Sequence, residues 1–217
     1  FGLQKGWVGR SVENTANQPL GSFNVEVKGE PISVAQIDFF FDLSGTTAGA
    51  DAADITNVSL VDKNGIIVAG PSDGAAATER VRFSDTVIFP VGKNVYKLRG
   101  KIGTDFGNNN TVIASTTPSA DWTTVTGQIS GNTRTPSPSS EVLLNTMTVK
   151  APEITISASS LPNAQTVVGG GSVNFANYIL DTTNSGDDIK FSAFKLDYEK
   201  LTGGETNLTS CSLWDGN

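Results

Sequence analysis

The chain has no histidine in 217 residues, which removes the side chain that most often moves protons near neutral pH. Catalysis of the Ser-His-Asp or Cys-His kind is excluded with it, and no Gly-x-Ser-x-Gly elbow appears. Cys211 is the single cysteine, so no disulfide can form within the chain and cysteine usage says nothing of redox compartment. Basic residues are few. The 15 Lys and Arg stand against 22 Asp and Glu, a formal charge of −7, and no Lys/Arg cluster offers the face that nucleic acid or an anionic membrane needs. No apolar run approaches the roughly 20 residues that cross a bilayer. No secretory signal is visible and residue 1 is Phe, from which the true start is expected elsewhere.

What the sequence does have is apolar material for a core, 37% of residues, with only 17% charged and with abundant Ser, Thr, Asn and Gly. That composition suits a β-rich extracellular protein. Three Asn-x-Ser/Thr sequons, at Asn57, Asn109 and Asn207, are candidate glycosylation sites.

Period-2 alternation recurs along the chain, while helical spacing sustained over a dozen residues does not, so the fold class is read as all-β. "SFNVEV" (22–27) puts Phe23, Val25 and Val27 on one face. "ISVAQIDFFFDL" (32–43) carries Ile32, Val34, Ile37, Phe39 and Phe41 with one change of phase, which predicts a bulge or corner. Further strands are expected over 55–61, 79–89, 94–102, 110–116, 122–129 and 141–150, separated by Gly-, Pro- and Asn-rich turns. Asn64-Gly65 predicts a hairpin with a two-residue type I′ turn, because both residues tolerate positive φ.

Two Pro-Ser pairs precede a strand that runs into "KAPE", the pattern of a domain junction. Pro152 removes a backbone donor and keeps Ala151 extended, which places a boundary at about residue 151. An internal repeat supports it. Ile32, Val34, Ile37, Phe39 and Phe41 superpose on Ile189, Phe191, Phe194, Leu196 and Tyr198, phase change included. Ile55, Val58, Leu60 and Asp62 superpose on Leu208, Cys211, Leu213 and Asp215. "GSFNVEV" corresponds to "SVNFANYIL", and "GWVGRS" to "ITISAS". The first unit is therefore read as residues 1–150 and the second as 151–217, a sandwich lacking everything equivalent to 66–150. It is expected to be completed by further polypeptide or by strands from a neighbour. In this register Cys211, in the place of Val58, reads as a small buried hydrophobe, and Trp214 corresponds to Val61.

Candidate chemistry is sparse. Asp38, Asp42, Asp51, Asp54, Glu79, Asp85, Asp105, Asp187 and Asp188 are carboxylates, yet no spacing selects an acid-base pair, and they read as a solvated face. "DAAD", "VDKNG" and "SGDDI" gather oxygen ligands in turns, which makes Asp51, Asp54, Asp62, Asp187 and Asp188 the candidate calcium ligands, although no EF-hand spacing is met. Asp and Asn also fill turns for backbone reasons. Lys97 and Lys195 are the candidates for a Lys–Asn isopeptide crosslink. Trp7, Trp122 and Trp214 read as core residues, with sugar stacking as the alternative.

The phrases "VKGEPISVAQ" and "LNTMTVKAP", within a pattern that covers nearly the whole chain, resemble long repetitive surface proteins of uncultivated, ultra-small bacteria of the candidate phyla radiation. The resemblance implies tandem immunoglobulin-like antiparallel β-sandwich units, an extracellular cell-surface location and a structural or adhesive role, with no site residues to carry over. The functional expectation is a non-enzymatic repeat unit of a bacterial surface layer, filament or stalk, needing no cofactor. Its expected partners are copies of itself or successive repeats. The alternative is an adhesin in which a loop such as 103–121 grips a host or matrix glycan.

Overall fold

The computed structural model of the chain describes residues 2–5, 9–45, 49–186, 188–197 and 208–215. In chain order the strands begin with β1 (Gly2–Lys5), β2 (Gly9–Val12), β3 (Gln18–Val27), β4 (Ile32–Ser44), β5 (Ile55–Val61), β6 (Ile67–Ser72), β7 (Gly74–Ala75) and β8 (Arg80–Phe83). They continue with β9 (Val87–Phe89), β10 (Gly92–Ile102), β11 (Thr111–Thr116), β12 (Trp122–Gly127), β13 (Val142–Leu143), β14 (Met147–Lys150), β15 (Thr155–Ala158) and β16 (Tyr178–Asp181). One short helix, α1 (Pro118–Asp121), precedes β12.

Two sheets face each other over residues 2–150. The first runs β1-β3-β10-β5-β6, and the second is built on β4, flanked by β11 and β12 on one edge and by β8 and β9 on the other. The N-terminal stretch divides its loyalty, since β1 pairs with β3 in the first sheet while β2 pairs in parallel with β14 in the second. All-β character with a two-layer core is what the alternation predicts.

The core follows from that alternation. Phe23, Val25 and Val27 of β3 are buried, as are all five predicted positions of β4. Phe23 bridges the layers, its ring centroid 5.5 Å from that of Phe39 and 6.1 Å from those of Tyr96 and Trp122. Each such side chain removed from water stabilises the fold by about 1.5–3 kcal/mol. The change of phase in β4 falls where its partner strand breaks. Phe83 of β8 lies opposite Ile37 and Val87 of β9 opposite Val34, so three residues (84–86) face two, Ala35 and Gln36.

Several sequence expectations are corrected here. The hairpin at 62–66 forms, but not as a type I′ turn. Asn64 is absent from the left-handed positions among the described residues, and only Gly65, at φ +83°, takes positive φ there. The turn is set by Asp62, whose Oδ1 accepts from Asn64 N at 2.8 Å and Ile66 N at 2.9 Å while Gly65 N donates to Asp62 O at 3.0 Å. The single strands expected over 79–89 and 141–150 are each broken in two. At 144–145 the break turns Leu144 inward, where it is buried and packs so close to Gly21 that a Cβ on Gly21 would stand 2.5 Å from it.

Beyond Lys150 the picture changes. β15 and β16 pair in an antiparallel ladder, Thr155 opposite Asp181 through Ala158 opposite Tyr178. The strands expected at 189–198 and 208–214 are not formed over their described residues. β4, with which the sequence register matches 189–198, is by contrast paired along both edges.

Candidate functional site

The two ends of the sandwich are structurally distinct. One pole gathers residues 27–32, 88–92 and 128–136: Phe89 pairs with Ile32, Gly92 with Val27, and Gln128 N donates to Pro31 O at 2.9 Å. β1 comes in here, Gly2 lying opposite Glu26. The other pole gathers 12–18, 49–54 and 103–110, through Asn14 N to Ile102 O at 2.7 Å and Gly103 N to Asp54 O at 2.7 Å. β14 leaves here, with Lys150 opposite Val12.

At the leaving pole the loop 103–110 is built for contact. Phe106 plugs it into the core, and Asn110, itself nearly buried, ties it down by accepting from Gly107 N at 2.5 Å and donating to Gly45 O. Asn109 N and Val149 N complete the tie to β14, donating to Val149 O at 2.9 Å and Asn110 O at 2.8 Å. Asn108 then reaches across the boundary, donating to Glu153 Oε2 and, at 3.3 Å, to Asn184 O. Asn109 Oδ1 accepts from Lys150 Nζ at 2.5 Å. From the far side, Gly186 N donates to Ala151 O at 2.9 Å, and Glu153 N donates to Ser185 Oγ at 3.2 Å. The connection at 151–154 is thus braced on both sides, by contacts that sequence reasoning did not name.

At the incoming pole Glu30 organises the loop after β12. Its carboxylate accepts from Ile129 N at 2.7 Å, Ser130 N at 2.8 Å and Ser130 Oγ at 2.6 Å, with Arg134 3.7 Å away. The Ser130 hydroxyl, then the Ser130 and Ile129 amides, hold its pKa down at about 2, against the ordinary 4.5. Beside it opens a cleft of about 330 Å³ with an apolar floor of Val27, Ile32 and Val125 and a polar rim that includes Lys28, Glu30 and Arg134.

The sequence-predicted site residues are scattered. Asp51 and Asp54 cap one 3₁₀ turn: Asp51 Oδ1 accepts from Ala53 N at 2.7 Å, and Asp54 Oδ2 from Asp51 N at 2.9 Å. Asp62 serves its own turn, as above. Asp188 lies by an open polar depression with Thr182, Ser185 and Gly186. Asp187 lies outside the described residues, as do Asn207 and Trp7. Among the described residues no three Asp, Glu or Cys side chains converge as a metal site. Asn57 and Asn109 are exposed, both on left-handed backbone at φ +52° and +69°.

Three readings change, those of Asp38, Cys211 and Trp214. Asp38 is buried rather than solvated, 3% exposed, and gripped by Arg80 and Arg82. The signal was present in "ERVRF", since two Arg two residues apart on a strand share one face, as a lone Asp between Ile37 and Phe39 must. Cys211 is exposed instead of buried, because no second layer covers it among the described residues. Lys97 is half-buried and Lys195 is exposed, its amine 3.2 Å from Asp197, so neither has the sealed site a Lys–Asn crosslink needs. Trp214 is 79% exposed, whereas Trp122 is core, 2% exposed, with Nε1 donating to Thr116 Oγ1 at 3.0 Å. Loop 103–121 therefore offers no aromatic platform at Trp122, and its middle is strand β11.

The second segment leaves an apolar face uncovered. Ile156, Ala158, Tyr178 and Leu180 share one side of the β15–β16 ladder by register, and Phe194 extends it, its ring 6.3 Å from Tyr178 and 6.2 Å from Phe191. Phe194, Phe191 and Leu213 are 36%, 44% and 63% exposed, whereas Ile37, Val34 and Leu60, the residues the sequence register expects to match them, are each at 0%. Among the described residues no helix is long and apolar enough to cross a membrane. No family model matches the chain, and no curated protein or solved structure matches it either.

Proposed function

We propose that the chain is modular building material of a bacterial cell surface: tandem immunoglobulin-like β-sandwich units joined end to end as part of an extracellular layer, filament or stalk. The observation that carries this reading is the braced connection at 151–154, in which Asn108 of the first unit holds Glu153 and Asn184 of the segment that follows. A chain that comes in at one pole, leaves at the other and is clamped at the exit makes a stiff linear array rather than a string of loose beads. The uncovered face of residues 155–197 fits a second unit whose remaining layer has the strand pattern of 66–150.

Support comes also from what the first unit does with its polar groups. Asp51, Asp54, Asp62 and Glu30 are each spent on backbone amides of turns, which stiffens the poles. The glycan-binding alternative keeps Trp214 as an exposed aromatic, with Trp122 withdrawn into the core.

Electron microscopy of the native assembly tests the proposal. Filaments or a lattice with an axial repeat set by the unit length are expected. Isolated chains that bind a glycan saturably, with binding lost on Trp214→Ala, would replace it with the adhesin.

A further inference from the structure

The contact at the exit has a second surface to match it elsewhere in the chain. The register that lays Ile189 on Ile32 also lays Gly186 on Gly29, a glycine three residues ahead of the isoleucine in each case. Gly186 is a glycine because of what it touches: a Cβ there would stand 2.3 Å from the Lys150 carbonyl oxygen, and its amide donates to Ala151 O. Gly29 holds the corresponding place in the β3–β4 turn, yet a Cβ on it would meet nothing within 4 Å, and the residue is exposed. Gly29 itself lines the cleft of about 330 Å³ beside that turn, together with Val27 and Lys28. Glu30, which lines the cleft, is itself held by the Ile129 and Ser130 amides, so that side of the surface is formed in advance of any occupant.

We propose that this pole is a head-to-tail socket for a second copy of the same unit. The asparagine loop 108–110 and the end of β14 of one copy seat on the turn 27–30 of the next, repeating the contact seen at 184–186. The Gly29 amide then takes the carbonyl equivalent to Ala151 O. The neutral donors and acceptors of an asparagine loop suit a rim that carries charges of both signs, Lys28 and Arg134 with Glu30. Such an interface joins two different patches, so it propagates in one direction and does not close on itself. The inference rests on the tandem-unit reading and adds to it a polarity and a named receiving surface.

The test places a second copy of residues 1–154 directly ahead of the full chain and follows amide hydrogen exchange at Gly29 and Gly186. Occupation of the socket slows exchange at Gly29 about tenfold or more relative to the unextended chain. Asn108→Ala in the upstream copy should return part of that protection. Unchanged exchange at Gly29, with Gly186 still protected, overturns the socket and leaves the tandem-unit reading standing. Free exchange at Gly186 in the unextended chain removes the template contact, and both readings fall together.

Discussion

Arg82 grips Asp38 with a fork, Nε to Oδ1 at 2.8 Å and Nη2 to Oδ2 at 2.7 Å, and Arg80 adds a third contact to Oδ2 at 3.0 Å. The carboxylate is buried while the Arg80 and Arg82 side chains are 28% and 43% exposed, so the clasp lies on the outer side of β4, sealed by its own arginines. Arg82→Met leaves a buried carboxylate with one cation in place of two. A loss of about 2–3 kcal/mol is expected, read as a lower urea midpoint at constant slope. Asp38→Asn, which frees both arginines to solvent, should cost less than Arg82→Met.

The Glu30 clamp carries a pH signature. Its folded pKa of about 2 lies below the ordinary 4.5, so the stabilisation is complete above 4.5 and is lost as pH falls toward 2. Exchange at Ile129 and Ser130, corrected for intrinsic rates, should accelerate across that window. Glu30→Gln should abolish the pH dependence while leaving the core intact, and a flat profile in the unsubstituted chain would contradict the clamp.

Trp122 stacks on Phe89 at 5.3 Å between ring centroids as well as meeting Phe23, so Trp122→Ala opens a large hole between the sheets. The expected cost is about 3–5 kcal/mol in chemical denaturation, with Trp122→Phe losing much less. Any glycan affinity should follow the folded fraction and nothing else.

Gly186→Ala drives a methyl group into the Lys150 carbonyl. The first unit, which makes no use of residue 186 for its core, should denature unchanged. Exchange at Ala151 and Glu153 should rise, and small-angle scattering should report a broader range of bend between the two parts.

Cys211 supplies a direct reading of whether the second layer is present. Exposed as it stands, it should react with a maleimide in the native chain at a rate close to that of the denatured one. Protection of the thiol on addition of polypeptide carrying strands like those at 66–150 would show the uncovered face being filled.

The repeated alternation was legible because it is local. Phe23, Val25 and Val27, or the shift between Val34 and Ile37, need only the pleat to declare themselves. The turn at Asn64-Gly65 was placed correctly and typed wrongly, since the decisive group is the side chain of Asp62, two residues upstream. Asp38 and Arg82 are 44 residues apart, and Asn108 and Asn184 are 76 apart, so neither pair is visible until β4 meets β8 or the exit loop meets the following turn. At Phe191, Phe194 and Cys211 the sequence pattern predicts burial, and all three are exposed.

The parallel pairing of β2 with β14 has a mechanical consequence. Tension applied through the incoming and outgoing segments draws β2 toward one pole and β14 toward the other, along the direction in which both strands run. The four registered pairs from Met147–Gly9 to Lys150–Val12 are then loaded in shear and must yield together, rather than unzipping one bond at a time. A unit so wired resists a steady pull far better than its thermal stability alone would indicate.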